Sequence, residues 1–358
     1  MMAPFLFSVV RRPGRRLASP LAALFSPLFA PLFAPLFLLL CLLLSGQARA
    51  DTCTVTATDL TFPSVSSIST GDAYAQQTFT VVCTWDVLPL YSSVNVCLSL
   101  GAGSNSGTSV TPLRTLGNGA KRVNYNLYSD ATYTPAKIWG GWGGTSTPPA
   151  ITFSMTKIVG QGSLTQVVTV YGKLSTDSTL AALDLGPDNL LFTSDFGAAS
   201  AQMQYNFVLA GLLGCATGPT VPVAFQVKAN IINDCTIGVG NMAFPNANLL
   251  SGALRSQSIL SMTCSKSTAY RVSFSSGTNG ASMTARQMKN TSTPELVTYQ
   301  LSNTLDGASL GDGTGGTTTI SDTGNGALQS RTIYGLVPSQ STPSPGDYKD
   351  TVTATVAF

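Results

Sequence analysis

The chain has 358 residues, 44% of them hydrophobic and only 10% charged, with a formal net charge of +3 and no histidine. Without histidine there is no Ser-His-Asp or Cys-His mechanism, no histidine general base and no ordinary zinc ligand set. The sparse charge, close to balance, argues against nucleic acid as a partner.

Residues 1–50 read as a signal peptide. Arg11, Arg12, Arg15 and Arg16 precede an apolar run over 21–44, and Ala48-Arg49-Ala50 supplies an A-x-A cleavage site before Asp51. The run is long enough to span a bilayer, so an uncleaved anchor is the alternative; Pro27, Pro31, Pro35 and the small-residue site favour cleavage. Five of the 19 basic residues lie here and none of the 16 acidic ones, which leaves 14 against 16 in the mature chain. That mature chain is rich in Thr, Ser, Val, Gly and Asn and contains one glutamate, Glu295. This is a strand-and-turn composition, and it is large enough for two cores.

The next feature is a repeat. Cys53-Thr-Val-Thr-Ala-Thr-Asp-Leu-Thr-Phe62-Pro63 is matched by Cys235-Thr-Ile-Gly-Val-Gly-Asn-Met-Ala-Phe244-Pro245, and each copy reaches a second cysteine, Cys83 or Cys264. Val123-Asn-Tyr125-Asn-Leu127 then answers to Val297-Thr-Tyr299-Gln-Leu301, and Val170-Tyr171-Gly172 to Ile333-Tyr334-Gly335. Ordered matches of this kind mark a duplicated domain. Cys41 leaves with the signal, and six cysteines remain for an oxidising compartment. Six cysteines permit 15 pairings; the duplication selects Cys53 with Cys83 and Cys235 with Cys264. Cys97 and Cys215 are left for each other, unless they are free or pair between molecules.

Within domain 1, taken as 51–214, apolar residues in turn-rich segments are candidate contact residues: Leu88, Leu90 and Tyr91; Ile138, Trp139 and Trp142; Leu190, Leu191 and Phe192. Apolar loop tips point to interaction surfaces. The competing reading turns the same side chains into the core, because tryptophan is usually well buried. Residues 215–222 read as a linker, with turn chemistry and prolines that forbid a central strand. Domain 2 is taken as 223–358. It opens on Val223-Ala-Phe225-Gln-Val227-Lys-Ala229-Asn-Ile231, apolar at every second residue, and closes on Val352, Ala354, Val356 and Phe358 in the same alternation. The whole reads as all-β, two sandwiches.

Two strings are better read as turns. Asp322-Thr323-Gly324 has no second aspartic-protease triplet to share a proton with, and Asp312-Gly-Thr-Gly-Gly316 is a single copy of a calcium-repeat fragment that works only in arrays. One glutamate rules out a Glu-Glu glycosidase pair, which leaves a secreted Asp-based hydrolase as the remaining catalytic option. No cofactor or metal is expected.

Gly346-Asp347-Tyr348-Lys349-Asp350-Thr351-Val352 running into Val356-Ala357-Phe358 resembles the ending of spore coat protein U domain proteins, a family that includes subunits of archaic, Csu-type chaperone-usher pili. The resemblance extends over Val227-Lys-Ala-Asn-Ile231, Cys235, Cys264, Val297-Thr-Tyr299 and Ile333-Tyr334-Gly335, and more loosely over domain 1, which lacks the Gly-Asp-Tyr-Lys-Asp string. It implies immunoglobulin-like domains that lack a last strand and are completed by an extended segment from a neighbour, a form of β-strand addition. It further implies a periplasmic chaperone, an outer-membrane usher and an adjacent pilin as partners. Val352, Ala354, Val356 and Phe358 would form the subunit-assembly strand. Because Asp51 stands two positions before Cys53, no donor segment is expected ahead of domain 1, and residues 223–231 could complete that domain in cis. The expectation is a tip adhesin at the distal end of a surface pilus, with roles in adhesion and biofilm formation; the alternative is a coat or minor fibre protein of the same family without a ligand.

Overall fold

A computed structural model describes residues 51–85, 91–107, 113–145, 148–209, 214–215 and 218–358. The expected signal peptide, together with Leu88 and Leu90, lies outside the described residues. Nearly all regular structure is strand, because β-branched and aromatic residues alternate with polar ones between Gly, Asn and Pro turns. Each half of the chain is an immunoglobulin-like sandwich with its own core.

The first sandwich begins with Thr52–Ala57, antiparallel to Ala73–Thr84 with Cys53 opposite Cys83. From there the sheet runs through Ser163–Leu174, Lys121–Tyr128 and Arg114–Asn118 to Leu190–Phe196. The facing sheet carries Ser93–Leu100 between Ile151–Thr156 and Ala201–Val208. The second sandwich repeats this plan. Cys235–Val239, Leu254–Cys264, Leu328–Val337, Leu296–Ser302, Arg286–Asn290 and Tyr348–Lys349 form one sheet; Ile320–Thr323, Ala269–Phe274 and Ala354–Ala357 form the other. Three bridges join Cys53 to Cys83, Cys97 to Cys215 and Cys235 to Cys264.

The repeated motifs have packing reasons. Val123, Tyr125 and Leu127 point inward from one strand, as Val297, Tyr299 and Leu301 do from its counterpart, because their period is two. The glycines of Tyr171-Gly172 and Tyr334-Gly335 leave space for an aromatic neighbour. A Cβ on Gly172 would stand 2.9 Å from Phe62 Cζ, and one on Gly335 would stand 2.8 Å from Phe244 Cζ.

The structure moves the domain boundary. The strand Phe225–Ile232 belongs to the first sandwich, not the second: it pairs antiparallel with Leu190–Phe196 along seven residues and parallel with Leu60–Thr61 and Val65–Ser66. Its apolar face, Phe225, Val227, Ala229 and Ile231, is buried in the first core. The alternation in the sequence shows one buried face without showing which core receives it. Residues 215–222 are not a free linker either. Cys215 is tied to Cys97, and Thr220–Pro222 lies against Ala201–Val208 as an edge strand, the position where proline is tolerated. The second sandwich therefore starts after Ile232. There the two domains touch through a buried 2.6 Å hydrogen bond between the Ser67 and Ser265 hydroxyls and through Ser267 Oγ, which donates to Asp184.

Truncating a buried Ile at a site that cannot collapse typically costs about 2–5 kcal/mol. Ile231→Ala should therefore destabilise the N-terminal sandwich by that amount in urea unfolding, and leave the unfolding of the C-terminal sandwich unchanged.

Candidate functional site

The two sandwiches differ most at one groove. In the first, the groove between Leu190–Phe196 and the segment holding Leu60, Phe62 and Val65 is filled by Phe225–Ile232, and the edge of Ala201–Val208 is covered by Thr220–Pro222. In the second, Tyr348–Lys349 stands where Leu190–Phe196 stands and Ala354–Ala357 where Ala201–Val208 stands, each pairing with the corresponding inner strand. Among the described residues no strand pairs with their other sides. Two edges with free N–H and C=O groups flank one groove.

Burial follows the same contrast. Leu60 and Phe62 are 0% and 3% exposed, whereas their counterparts Met242 and Phe244 are only half-buried. Tyr348, Val352, Ala354 and Val356 pack against the second core but remain half-buried, while Leu249 and Phe358 are 66% and 58% exposed. The residues expected to form the assembly strand thus line a groove rather than fill it.

The Gly-Asp-Tyr-Lys-Asp string has a local cause. Asp350 accepts the Tyr299 hydroxyl at 2.7 Å and is held from the other side by the Thr278 amide and hydroxyl and the Asn279 amide group. Burial raises the Asp350 carboxyl, but the hydrogen bonds from Tyr299 and Thr278 outweigh that and hold it below its ordinary value. Burial, and then the bond to Asp350, push the Tyr299 phenol well above its ordinary value. In the first sandwich the matching positions are Tyr125 and Ser194, both buried beneath the linking strand and neither hydroxyl with a hydrogen-bond partner among the described residues.

Two arginines that the sequence reading passed over anchor the same strands. Arg114 is fully buried; its guanidinium donates to the carbonyls of Gly101 (2.8 Å), Trp139 (2.7 Å) and Leu100 (3.4 Å) and to Asn126 Oδ1. Arg286 repeats the pattern on Ser275, Leu310, Phe274 and Met283. Burial pulls Arg114 down to about 10, so it stays charged at neutral pH. A cue was present: each arginine lies shortly before the repeated Val-x-Tyr-x-Leu strand.

The candidate contact residues separate. Trp139 is 2% exposed, edge-on to Phe79 and stacked on Phe225, and its indole N–H donates to the Leu98 carbonyl at 2.8 Å. Ile138 and Phe192 are buried as well. These three are core, which corrects the loop-tip reading. The glycines after Trp139 misled it, because Gly140 and Gly141 serve a close approach: their amides bond the Pro149 and Pro148 carbonyls, and a Cβ on Gly141 would stand 2.5 Å from that of Ala150. Leu190, Leu191 and Phe192 form a strand start, not a loop; Leu191 alone is clearly exposed, with Leu190 half-buried. Tyr91 is exposed and Trp142 half-buried.

Trp142 forms a wall of a cleft of about 800 Å³, which also takes in Gly101, Ser104, Thr145, Asp195 and Ser200. The cleft opens at the Phe196 end of the first sandwich. Phe196 faces Phe225, so about 23 Å of strand, seven residues at roughly 3.3 Å each, separates it from Ile232 and the second domain. Of the two strings read as turns, Asp312 accepts from the Thr314 amide and hydroxyl as a turn residue does, whereas Asp322 and Thr323 end the strand Ile320–Thr323, opposite Tyr270 and Ala269, where Asp322 pairs with Arg331. Among the described residues no group of three His, Cys, Asp or Glu could hold a metal, and no helix is long and apolar enough to cross a membrane.

The model of the Spore Coat Protein U domain matches the chain twice, at residues 40–184 and 221–355. The second match begins with the strand that the fold gives to the first sandwich, so the sequence unit and the structural unit are offset by one strand. No curated protein matches significantly. Among solved structures, a chain of the chaperone–tip adhesion subunit pre-assembly complex CsuC–CsuE of the archaic Csu pili of Acinetobacter baumannii is 17% identical at a TM-score of 0.50, covering 86% of this chain and 100% of that one. The CupB6 tip adhesin of Pseudomonas aeruginosa matches at 11% identity and a TM-score of 0.36, over 86% and 95% of the two chains. CfaE, the adhesive subunit of the CFA/I fimbria of enterotoxigenic Escherichia coli, matches at 10% and 0.30, over 86% and 93%. The first of these shows a shared fold.

Trp139→Ala should cost about 3–5 kcal/mol of stability, because it empties a core site and strips the Leu98 carbonyl of its donor; thermal melts of Trp139 and Trp142 variants side by side check this, with the larger loss expected at Trp139. The folded Asp350 carboxyl titrates below its unfolded value of about 3.9, so its contribution is complete above that pH and vanishes as pH falls through the folded value. Asp350→Asn should therefore destabilise the C-terminal sandwich at pH 7, and the gap to wild type should shrink in urea melts at about pH 3.

Proposed function

The chain belongs to the Spore Coat Protein U domain family, and on that premise we propose that it is a non-enzymatic adhesin subunit of a chaperone-usher pilus, exported through the periplasm and displayed at the distal end of the fibre on the cell surface. The observation that carries this is the contrast between two equivalent grooves: one is filled in cis by Phe225–Ile232, the other is open between Tyr348–Lys349 and the segment bearing Met242 and Phe244. A strand from a periplasmic chaperone, and later one from the adjacent pilin after transfer at the outer-membrane usher, would occupy the open groove. Its occupant needs what the first groove already holds, an extended segment with apolar side chains at every second residue. Each such side chain adds about 1.5–3 kcal/mol on full burial, and the ladder satisfies both edges.

The distal position is supported by the use of the linking strand. The segment ahead of the second domain is spent inside the chain, so it is not free to complete another subunit. The half of the chain that needs no partner for its groove, the N-terminal sandwich, is then the half available for binding surfaces, with attachment and biofilm formation as its output.

Expressed in the periplasm without a chaperone, the protein should aggregate or be degraded. Co-expression of the chaperone, or a pilin donor segment appended after Phe358 through a short turn, should restore soluble protein. A stable soluble monomer without either would sink this reading.

A further inference from the structure

The cleft at the Phe196 end is built rather than incidental. Its floor is bare backbone: Gly103 has a φ of +83°, and a Cβ there would stand 2.4 Å from Ser194 Oγ and 2.8 Å from Phe196 Cζ. The indole of Trp142 sits over Gly101, where a Cβ would come within 3.3 Å of Trp142 Cγ. Beneath it, the buried Arg114 clamps the Leu100 and Gly101 carbonyls, so the floor is held by charged hydrogen bonds from inside the core. Asp195 stands at the rim with its two oxygens engaged by Ser104 Oγ and Gln226 Nε2, which fixes the carboxylate's orientation.

The lining selects a ligand class. Among the described residues around the cleft there is no lysine or arginine and one carboxylate, Asp195. An anionic ligand would meet that charge with no cation it could touch, because the Arg114 guanidinium beneath the floor is fully buried and spent on carbonyls and Asn126. An extended peptide would find loops here, not a free sheet edge, because Ser93–Leu100 is paired on both sides. What the walls offer is one partly exposed indole face, the hydroxyls of Thr145 and Ser200, a carboxylate oriented by Ser104, and backbone groups uncovered by glycine and alanine. A face of C–H groups with hydroxyls around its edge satisfies all of these at once, and the volume lies within the usual range for small-molecule sites. We propose that this cleft binds a neutral pyranoside, whose ring stacks on Trp142 while its hydroxyls donate to Asp195 and exchange hydrogen bonds with the rim. The proposal rests on the reading of the N-terminal sandwich as the binding domain and names its ligand class.

The test uses the full chain, stabilised by its chaperone or by an appended donor segment. Saturation-transfer NMR and tryptophan fluorescence titrations are run with methyl mannoside, methyl galactoside and methyl N-acetylglucosaminide, with sialyllactose and choline as charged comparators. Saturable binding of at least one neutral glycoside is expected, weakened at least tenfold by Trp142→Ser and also by Ala199→Trp, which fills the cleft from an exposed position without removing any packing. Melting temperature is measured for both variants, so that loss of binding in a folded Ala199→Trp protein suffices. Three results would overturn the proposal: no neutral glycoside binds, sialyllactose or choline binds better, or both folded variants keep wild-type affinity. Capture of a fluorescent pilin donor peptide by the chaperone complex, measured on the same sample, separates the two readings. If peptide capture succeeds while glycosides fail, only the ligand assignment falls.

Discussion

An immunoglobulin-like sandwich that lacks one strand must bury an oily groove and two sets of unpaired backbone groups, and this constraint organises the whole molecule. The first sandwich meets it internally. Phe225–Ile232 buries four apolar side chains and pairs on both sides, so the N-terminal half is closed before any partner arrives. The second sandwich has the same groove without the strand, and Met242, Phe244 and Tyr348 stay half-buried in consequence. One chain thus holds a solved and an unsolved version of the same packing problem.

The Tyr299–Asp350 pair answers that constraint in the second sandwich, beside a buried arginine that both sandwiches carry whether the groove is filled or open. Strands on either side of an unfilled groove cannot be positioned by the missing strand, so they need other anchors. Arg286 ties Phe274, Ser275 and Leu310 together behind the groove, and Asp350 ties Tyr299 to the loop at Thr278 in front of it. Leaving a buried guanidinium without its carbonyls would cost far more than an ordinary hydrogen bond is worth, so these contacts hold the strands around the groove in register. In the first sandwich, Arg114 does the same beneath the cleft, and there the position corresponding to Asp350 is the neutral Ser194.

Much of this was legible in the sequence because it is local or repeated. The duplication located both first strands, the bridges within them and the Val-x-Tyr-x-Leu strands, and period-two alternation identified which residues turn inward. What was not legible depends on partners distant in sequence. The alternation of Phe225, Val227, Ala229 and Ile231 says that one face is buried, but either sandwich could have taken it. Trp139 looked like a loop tip because glycines follow it, and only the pairing of Gly140 and Gly141 with Pro148 and Pro149 shows that they bring the indole into the core. Arg114 and Arg286 stand at matching places in the repeat, but their burial was not legible, because arginine is almost never fully buried and the carbonyls that hold it there come from other strands and loops. The cleft, too, joins segments about 100 residues apart, from Leu100 to Ser200, that no spacing rule connects.

The central claim is that the second sandwich carries an open acceptor groove and the first a filled one. Amide hydrogen exchange on the full chain, with the chaperone displaced by a pilin donor peptide and compared with a chaperone-free state held at low temperature, measures both grooves in one experiment. Protection should rise on peptide binding across 241–250 and 348–357 and stay unchanged across 190–196 and 225–232. Protection gained at 190–196, or slow exchange before any peptide is added at the groove-facing amides of 348–357, those not already bonded to the inner strands, would contradict the account.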